Sequence, residues 1–221
     1  AARDVPFGQW LGAAPQPWAV VAAIIGACWL LLPRGFPARW LGALGMLPLF
    51  AISAPRPSDD AFWVTALDVG QGLAVVVQSA QHTLLYDAGP NFNSEADSGN
   101  RVVVPYLRAI GIQRLDGMIV SHADSDHSGG ALSVMHGVPI EWVAASLPVE
   151  HPIALNAKRF VPCFAGQNWQ WDGVRFEMLH PGPWMNVATT NDNNHRCLLK
   201  ISSRAGSMLL PADIEQETEF E

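Results

Sequence analysis

The stretch SHADSDHSGG (Ser121–Gly130) sets His122, Asp124, Asp126 and His127 within six residues, directly after the apolar run LDGMIV and just before a glycine pair. Residues two apart in an extended segment project to the same side, so His122 and Asp124 can reach one point. Asp126 and His127 follow where the chain turns into a helix and can bend toward a second point nearby. Imidazole nitrogen and carboxylate oxygen are both good ligands for divalent first-row metals. Gly129 and Gly130 let the backbone pass close to such a site and pack tightly at the helix start. The competing reading is a polar turn with incidental histidines and an Asp N-cap. That reading does not require four ligand-type residues at this spacing.

The surrounding pattern supplies a frame for the cluster. FWVTALDVG, LAVVVQS and HTLLYDAG read as three consecutive short strands, joined by GQG and by a turn near Ala80–Gln81. Asp87 ends the third. After a polar loop (Asn91–Gly99), NRVVVPYLRAIGI reads as helical, with Pro105 tolerable only in its first turns. LDGMIVS is the next strand, SGGALSVMHG opens a helix and EWVAAS opens another strand. Later strands are expected around FVPC, VRFEMLH, CLLKISS and SMLLPAD, and IEQETEFE begins a helix. Mixed strands and helices with motifs at strand ends indicate a layered α/β domain.

Residues 1–57 differ in character. PWAVVAAIIGACWLLLP (Pro17–Pro33) and RWLGALGMLPLFAIS (Arg39–Ser53) are two apolar runs, the second broken by Pro48. Each falls a little short of the ~20 residues that span a bilayer unaided. A buried helical hairpin is the alternative, but the Gly, Ala and Trp content suits lipid-embedded helices packed on neighbours. The loop between the runs, RGFPAR, holds Arg34 and Arg39 and no acid, so it is expected to face the cytoplasm. Everything after residue 57 is then extracytoplasmic (periplasmic), beyond the Pro-rich linker APRPSDD (Ala54–Asp60). The start, AARDVPFGQW, carries no initiator methionine and no convincing signal peptide. These features give two expected parts: 1–57, the end of a larger multi-pass membrane domain, and 58–221, an α/β domain incomplete at its C-terminus.

Charge narrows the function classes. The chain carries 13 Lys and Arg against 20 Asp and Glu, a formal charge of −7, and no basic run. Bulk charge therefore gives no argument for nucleic-acid binding. It does not exclude it, because carboxylates awaiting metal ions make an apoprotein more acidic than its working form. Cys28, Cys163 and Cys197 are far apart and form neither a CxxC pair nor an even-numbered framework, so they read as small buried residues.

His-x-Asp-x-Asp-His-x-Gly-Gly resembles the metallo-β-lactamase superfamily signature, His-x-His-x-Asp-His. With LDVGQG (Leu67–Gly72), LLYDAGP (Leu84–Pro90), RVVVPYLRAIGI, EMLHPGP (Glu177–Pro183), CLLKI and LLPADIEQE (Leu209–Glu217), the second part resembles the C-terminal domain of the ComEC family of DNA-uptake channels. The resemblance implies an αβ/βα sandwich with a metal site at one edge of its sheets. His122 and Asp124 would serve a first metal, with Asp124 where most of the superfamily has histidine. Asp126 and His127 would serve a second, and Asp213 would bridge both. Asp87 would support the metal loop, and Asp68, in the DVGQG turn, would be structural. A third-site ligand is expected in NDNNHRC, where His195 is the candidate. Pro211-Ala212 replaces the usual Thr-Gly before the late aspartate, and the superfamily's last histidine would lie beyond Glu221.

Three carboxylates and two histidines form a harder donor set than a His-rich zinc site, favouring Mn²⁺ or Mg²⁺, with Zn²⁺ also compatible. Two such ions suit phosphodiester hydrolysis by an activated water, with Asp124 and Asp126 in catalytic positions and Asp124 or His195 as proton donor. The resemblance makes DNA, single- or double-stranded, the substrate. It makes the membrane, the rest of the channel and the DNA-receptor and translocation proteins of natural transformation the partners. Two alternatives compete: a non-catalytic module that gates or guides DNA, and a hydrolase of small esters. Trp169, Trp171 and Trp184 are candidates for stacking on bases, with core packing the alternative.

Overall fold

The computed structural model describes residues 15–33, 35–51, 54–93, 95–182, 196–211 and 213. They form two compact units, one built on residues up to 55 together with 107–112, the other on 56–106 and the chain from 113 onward.

In the first unit, helix α1 (Pro17–Leu30) opens with proline at its first position, where no donor is lost. A 3₁₀ turn (Arg39–Leu41) leads into α2 (Gly42–Met46) and α3 (Pro48–Ala51), the break falling at Pro48. A methyl at Gly26 would strike the Gly42 carbonyl and the Gly45 Cα, and one at Gly45 would strike the Ala22 carbonyl. Small residues thus let α1 and α2 meet at backbone contact. Arg39 donates to the Leu30 carbonyl at 2.7 Å and so occupies an open acceptor at the end of α1. Trp18, Val21, Ile24, Ile25 and Leu31 are exposed. Among the described residues no helix is long and apolar enough to cross a membrane. The two expected membrane runs appear instead as a 14-residue helix, ~21 Å long, and a broken second arm, because glycine and proline interrupt the apolar sequence. Arg34 lies outside the described residues.

The second unit is a sandwich. Strands β1 (Trp63–Ala66), β2 (Val75–Gln78) and β3 (Thr83–Tyr86) run antiparallel. A short ribbon of β4 (Asn91–Asn93) and β5 (Ala96–Asp97) occupies the expected polar loop. Five residues of wide helical turn (Gly99–Val103) then lead into α4 (Val104–Ala109), with Pro105 second, where its missing N–H costs little. Strand β6 (Gly117–Val120) pairs parallel with β3, and β7 (Val143–Ala145) and β8 (Phe160–Pro162) extend the sheet in parallel. Between them lie α5 (Ser125–Ser128), α6 (Ala131–Gly137) and α7 (Pro152–Asn156). The first sheet has the order β1-β2-β3-β6-β7-β8. A second, fully antiparallel sheet follows: β9 (Asn168–Trp171), β10 (Val174–His180), β11 (Leu198–Ser203) and β12 (Gly206–Leu210), ordered β12-β11-β10-β9.

The core lies between the sheets. Val75, Val77, Leu84, Tyr86 and Ile119 from the first meet Val174, Phe176, Met178, Leu199 and Ile201 from the second. Alternation follows from this: on β10, Arg175 and Leu179 face outward between buried Val174, Phe176 and Met178. Strands β2, β3 and β6 are buried throughout and read as continuous apolar runs, as central strands covered on both faces do.

Two of the ties that join the sheets are a disulfide and a carboxylate clamp. The disulfide links Cys163, just after β8, to Cys197, just before β11. It corrects the expectation that the cysteines are merely small buried residues. Both are buried, but sheet stacking brings together residues 34 apart in sequence, and Cys28 is free and exposed. The other tie lies at the β9–β10 hairpin, whose two-residue Asp172-Gly173 turn has both φ values positive. The Asp172 carboxylate accepts from Ser79 Oγ (2.6 Å), the Gln81 backbone N–H (2.7 Å) and His82 Nδ1 (3.1 Å), clamping the β2–β3 turn.

Partial burial disfavours the charge on Asp172, yet these hydrogen bonds outweigh it and hold the carboxyl at about 2. A depressed folded-state pKa stabilises above the unfolded value, ~3.9, and is lost as pH falls through the folded one. The contribution of Asp172 should therefore disappear between pH ~4 and ~2 in an acid titration followed by circular dichroism. Asp172→Ala should lower the unfolding free energy at neutral pH by about 1–2 kcal/mol in urea titrations.

Candidate metal centre

The centre is organised by Asp87 at the end of β3. Its backbone is left-handed (φ 57°), a conformation that aspartate tolerates and that turns the chain sharply out of the strand. The Asp87 N–H donates to the Ile119 carbonyl at 2.8 Å, so the turn is fastened to β6. The carboxylate is fully buried. It accepts from the Ser121 N–H (2.7 Å), the Ser121 hydroxyl (2.7 Å) and His127 Nδ1 (2.8 Å).

These bonds set the protons. A buried carboxylate accepts only, so His127 carries its proton on Nδ1 and the Ser121 hydroxyl spends its own on Asp87. The hydroxyl oxygen is then an acceptor for His122 Nδ1, 2.8 Å away. Both imidazoles therefore turn Nε2 toward the same space, their ring centroids 4.1 Å apart. His122 Nε2 is buried and makes no aligned hydrogen bond, its nearest charged neighbour being the Asp124 carboxylate at 3.2 Å. A buried basic nitrogen that makes no hydrogen bond is the arrangement expected of a metal ligand.

Carboxylates complete the cluster. Asp126 follows in α5, and His122, Asp126 and His127 each bring one ligand atom within 4.8 Å of the others. Asp124 Oδ2 lies 3.2 Å from His122 Nε2, and Asp213 Oδ2, beyond β12, lies 3.1 Å from His127 Nε2. Both are well exposed, in contrast to the two histidines. Burial, then the charges of His127 and Arg196, lower the pKa of His122. Burial also opposes a charge on His127, but the Asp87 hydrogen bond and the carboxylates of Asp87, Asp213 and Asp126 outweigh it and raise that pKa. One imidazole is thus held neutral while the other is surrounded by negative charge, a donor set fit for a divalent cation.

The loops fit tightly around the cluster. The Ala88 N–H donates to the His127 carbonyl (2.8 Å) and the Gly130 N–H to the Gly89 carbonyl (3.0 Å). A side chain at Gly129 would strike the Pro90–Asn91 backbone, and one at Gly130 the Ala88 carbonyl. The DVGQG turn abuts the same helix: the Leu73 N–H donates to the Asp126 carbonyl at 3.1 Å, and a side chain at Gly72 would meet that carbonyl. Asp68 is exposed and accepts from the Gly70 N–H at 3.3 Å, a turn-forming contact. The cluster is thus formed of the sequence-derived residues His122, Asp124, Asp126, His127 and Asp213, with Asp87 behind it. His195 and Trp184 lie outside the described residues. Trp169 and Trp171 are half-buried and pack with Trp142 and Phe176 against the core, and Trp171 stacks on His82 (4.9 Å).

Sequence reasoning did not single out Ser121, the hinge of the hydrogen-bond network, or Tyr86 and Arg196. The Tyr86 hydroxyl lies 2.6 Å from the Cys197 carbonyl and 3.0 Å from that of Leu210, fixing β11 and β12 at the metal edge. The Cys197 N–H donates to the Ser121 carbonyl at 2.9 Å. No periodicity or spacing marks these contacts.

Comparison with known proteins agrees with this geometry. Residues 67–218 match the model of the metallo-β-lactamase superfamily. Uncharacterized protein YcaI of Escherichia coli is 35% identical over 96% of this chain and 25% of its own length. Competence protein ComA of Neisseria gonorrhoeae is 37% identical over 95% of this chain and 28% of its own. Recombination protein 2 of Haemophilus influenzae is 34% identical over 73% of this chain and 19% of its own. The chain thus spans between 19% and 28% of the length of these relatives.

Two variants probe the supports of the centre. Asp87→Ala strands three buried donors and should destabilise the fold by about 3–5 kcal/mol in denaturant titrations. Cys163→Ser with Cys197→Ser should cost about 2–4 kcal/mol by the same measurement. Taken with the metal-edge geometry, the matches establish that the chain belongs to the metallo-β-lactamase superfamily and, within it, to the ComEC family of competence proteins.

Proposed function

We propose that this chain is the extracytoplasmic, metal-dependent nuclease part of a DNA-uptake channel. The observation that carries the metal reading is the buried Nε2 of His122, outside any aligned hydrogen bond, beside His127 and three carboxylates. His122 and Asp124 would hold one divalent ion and Asp126 and His127 a second, with Asp213 available to either. Asp87 and Ser121 keep both imidazoles in the tautomer that presents Nε2. Bound ions supply Lewis-acid polarisation of a phosphoryl oxygen and a water deprotonated near neutral pH. The Asp126 carbonyl accepts from the Leu73 N–H, which seats its loop against the end of the DVGQG turn. Asp124 or His195 would return a proton to the leaving oxygen, Asp124 only where it is not bound to metal. The carboxylate-rich donor set favours Mn²⁺ or Mg²⁺ and accepts Zn²⁺.

The disulfide supports placement outside the cytoplasm, since such bonds persist in oxidising compartments. The exposed apolar side chains of α1 support a seat in the membrane, packed on the rest of a longer channel protein. The names of the Neisseria relative, a competence protein, and the Haemophilus relative, a recombination protein, support DNA as substrate and the receptor and translocation proteins of natural transformation as partners.

The complete domain, loaded with Mn²⁺, Mg²⁺ or Zn²⁺, is expected to cleave single-stranded DNA, and Asp126→Ala to reduce the rate by at least about 100-fold. Cleavage indifferent to that substitution would sink the nuclease assignment, and metal-dependent DNA binding without cleavage would favour a guiding module. A reporter fused after residue 57 is expected to be active only outside the cytoplasm. Cytoplasmic activity would overturn the placement.

A further inference from the structure

Strands β8 and β9 are edge strands of their two sheets, and residues from both line a cleft of about 300 Å³. Trp142, Trp169 and Trp171 form its walls, with the buried Ala144 and Met178 beneath them. Arg159, just before β8, lines it as well and is exposed. No carboxylate is among the lining residues. Each indole is held from behind. Trp169 stacks on Phe176, the ring centroids 5.1 Å apart and the planes 4° from parallel, and Trp171 stacks on His82 at 4.9 Å. Trp142 lies across Gly117, where a Cβ would come within 2.4 Å of its ring. Among themselves the three rings are inclined by 84°, 43° and 67°, so none stacks flat on another. Trp169 Nε1 is buried and has no hydrogen-bond partner among the described residues. Interiors otherwise fill such space with side chains. Three fixed, half-buried indoles around an open volume are instead a preorganised surface, which a planar ligand can use at little cost in ordering.

The lining chemistry selects the ligand. Aromatic cages that take quaternary ammonium groups work by attracting a cation. Arg159 and the lack of a lining carboxylate oppose that use and suit a ring attached to an anion. The volume is at the lower end of the ~300–1,000 Å³ typical of small-ligand sites, which suits one ring system and not a length of polypeptide. We infer that the cleft takes one unpaired base of a single-stranded nucleic acid, stacked on the indoles, with Arg159 against a phosphate of the same strand. Every base has a π-face, so such a site holds the strand without reading its sequence. The inference rests on the reading of DNA as substrate and adds a holding site built from residues outside the metal cluster.

The probe is a short oligothymidylate, titrated at fixed low salt into the chelator-treated chain, where no metal-dependent cleavage can occur, with tryptophan fluorescence as the readout. Saturable quenching is expected. An abasic oligomer of the same length should not quench, and a duplex should not compete, because its bases are already stacked. Trp142→Leu should weaken binding at least about fivefold and remove part of the quenching. Arg159→Glu, on an exposed side chain, should weaken it to a similar degree and steepen the loss with salt less than wild type does. No quenching in the wild type, equal binding of the abasic oligomer, or affinity within twofold of wild type in both variants would overturn the inference. If Trp142→Leu does not fold, Arg159→Glu decides alone by the same twofold limit. Binding that depends on Trp142 and Arg159 in a complete domain that cleaves no DNA would refute the nuclease reading and leave the cleft standing. Asp126-dependent cleavage with binding indifferent to both substitutions would do the reverse.

Discussion

The arrangement at the metal edge depends on one buried carboxylate. Asp87 is removed from water, carries its charge among three donors and sits on a left-handed turn that β3 alone would not dictate. Each donor belongs to the motif loop, so the single anion sets where that loop lies and which ring nitrogen of each histidine keeps a proton. The two imidazoles do not find their geometry independently: the Ser121 hydroxyl passes the constraint from Asp87 to His122, while His127 meets the carboxylate directly. A charge buried at this cost is retained where it orients other groups, in the way outer-shell carboxylates orient metal-bound histidines.

The edge is also composite. His122 to His127 follow β6 in the first sheet, whereas Asp213, Arg196 and His180 lie at strand ends of the second. Their meeting depends on the register between sheets, and the ties that hold it are at the same edge. Tyr86 reaches carbonyls on both sides of β11–β12, Cys197 hydrogen-bonds Ser121, and the disulfide locks Cys197 to the end of β8. The Asp172 clamp closes the opposite end, where β2–β3 and β9–β10 turn. The sandwich is therefore pinned at both ends, with apolar packing between.

Much of this was legible from local signals. The strands β2, β3, β6, β10, β11 and β12 follow from short apolar or alternating runs between turn residues, and the ligand cluster from four ligand-type side chains at one strand end. Strand β9 was missed, although its signal was present: Asp172-Gly173 between NWQW and VRFEML is a hairpin turn flanked by alternation. The tryptophans of that strand face the other sheet, a fact carried by which side of β9 is inward and hence by the stacking. The apolar runs near the start were read as membrane helices, whereas among the described residues the second is broken into fragments at Gly42, Gly45 and Pro48.

What the sequence by itself determined is the inventory: which segments are strands, where the ligand-type residues cluster, and that Asp87 ends a strand ahead of them. These are consequences of local steric preference and periodicity, which act over a few residues. What only the tertiary structure decided is the pairing of distant groups. The bond between Cys163 and Cys197, the link from Ser121 to both histidines, the approach of Asp213 to His127 and the burial of Arg196 all depend on two sheets stacking in one register. Hydrogen bonds and covalent sulfur bonds form only within a few ångströms. No spacing along the chain encodes that proximity; it arises when the apolar faces of the sheets are buried against each other.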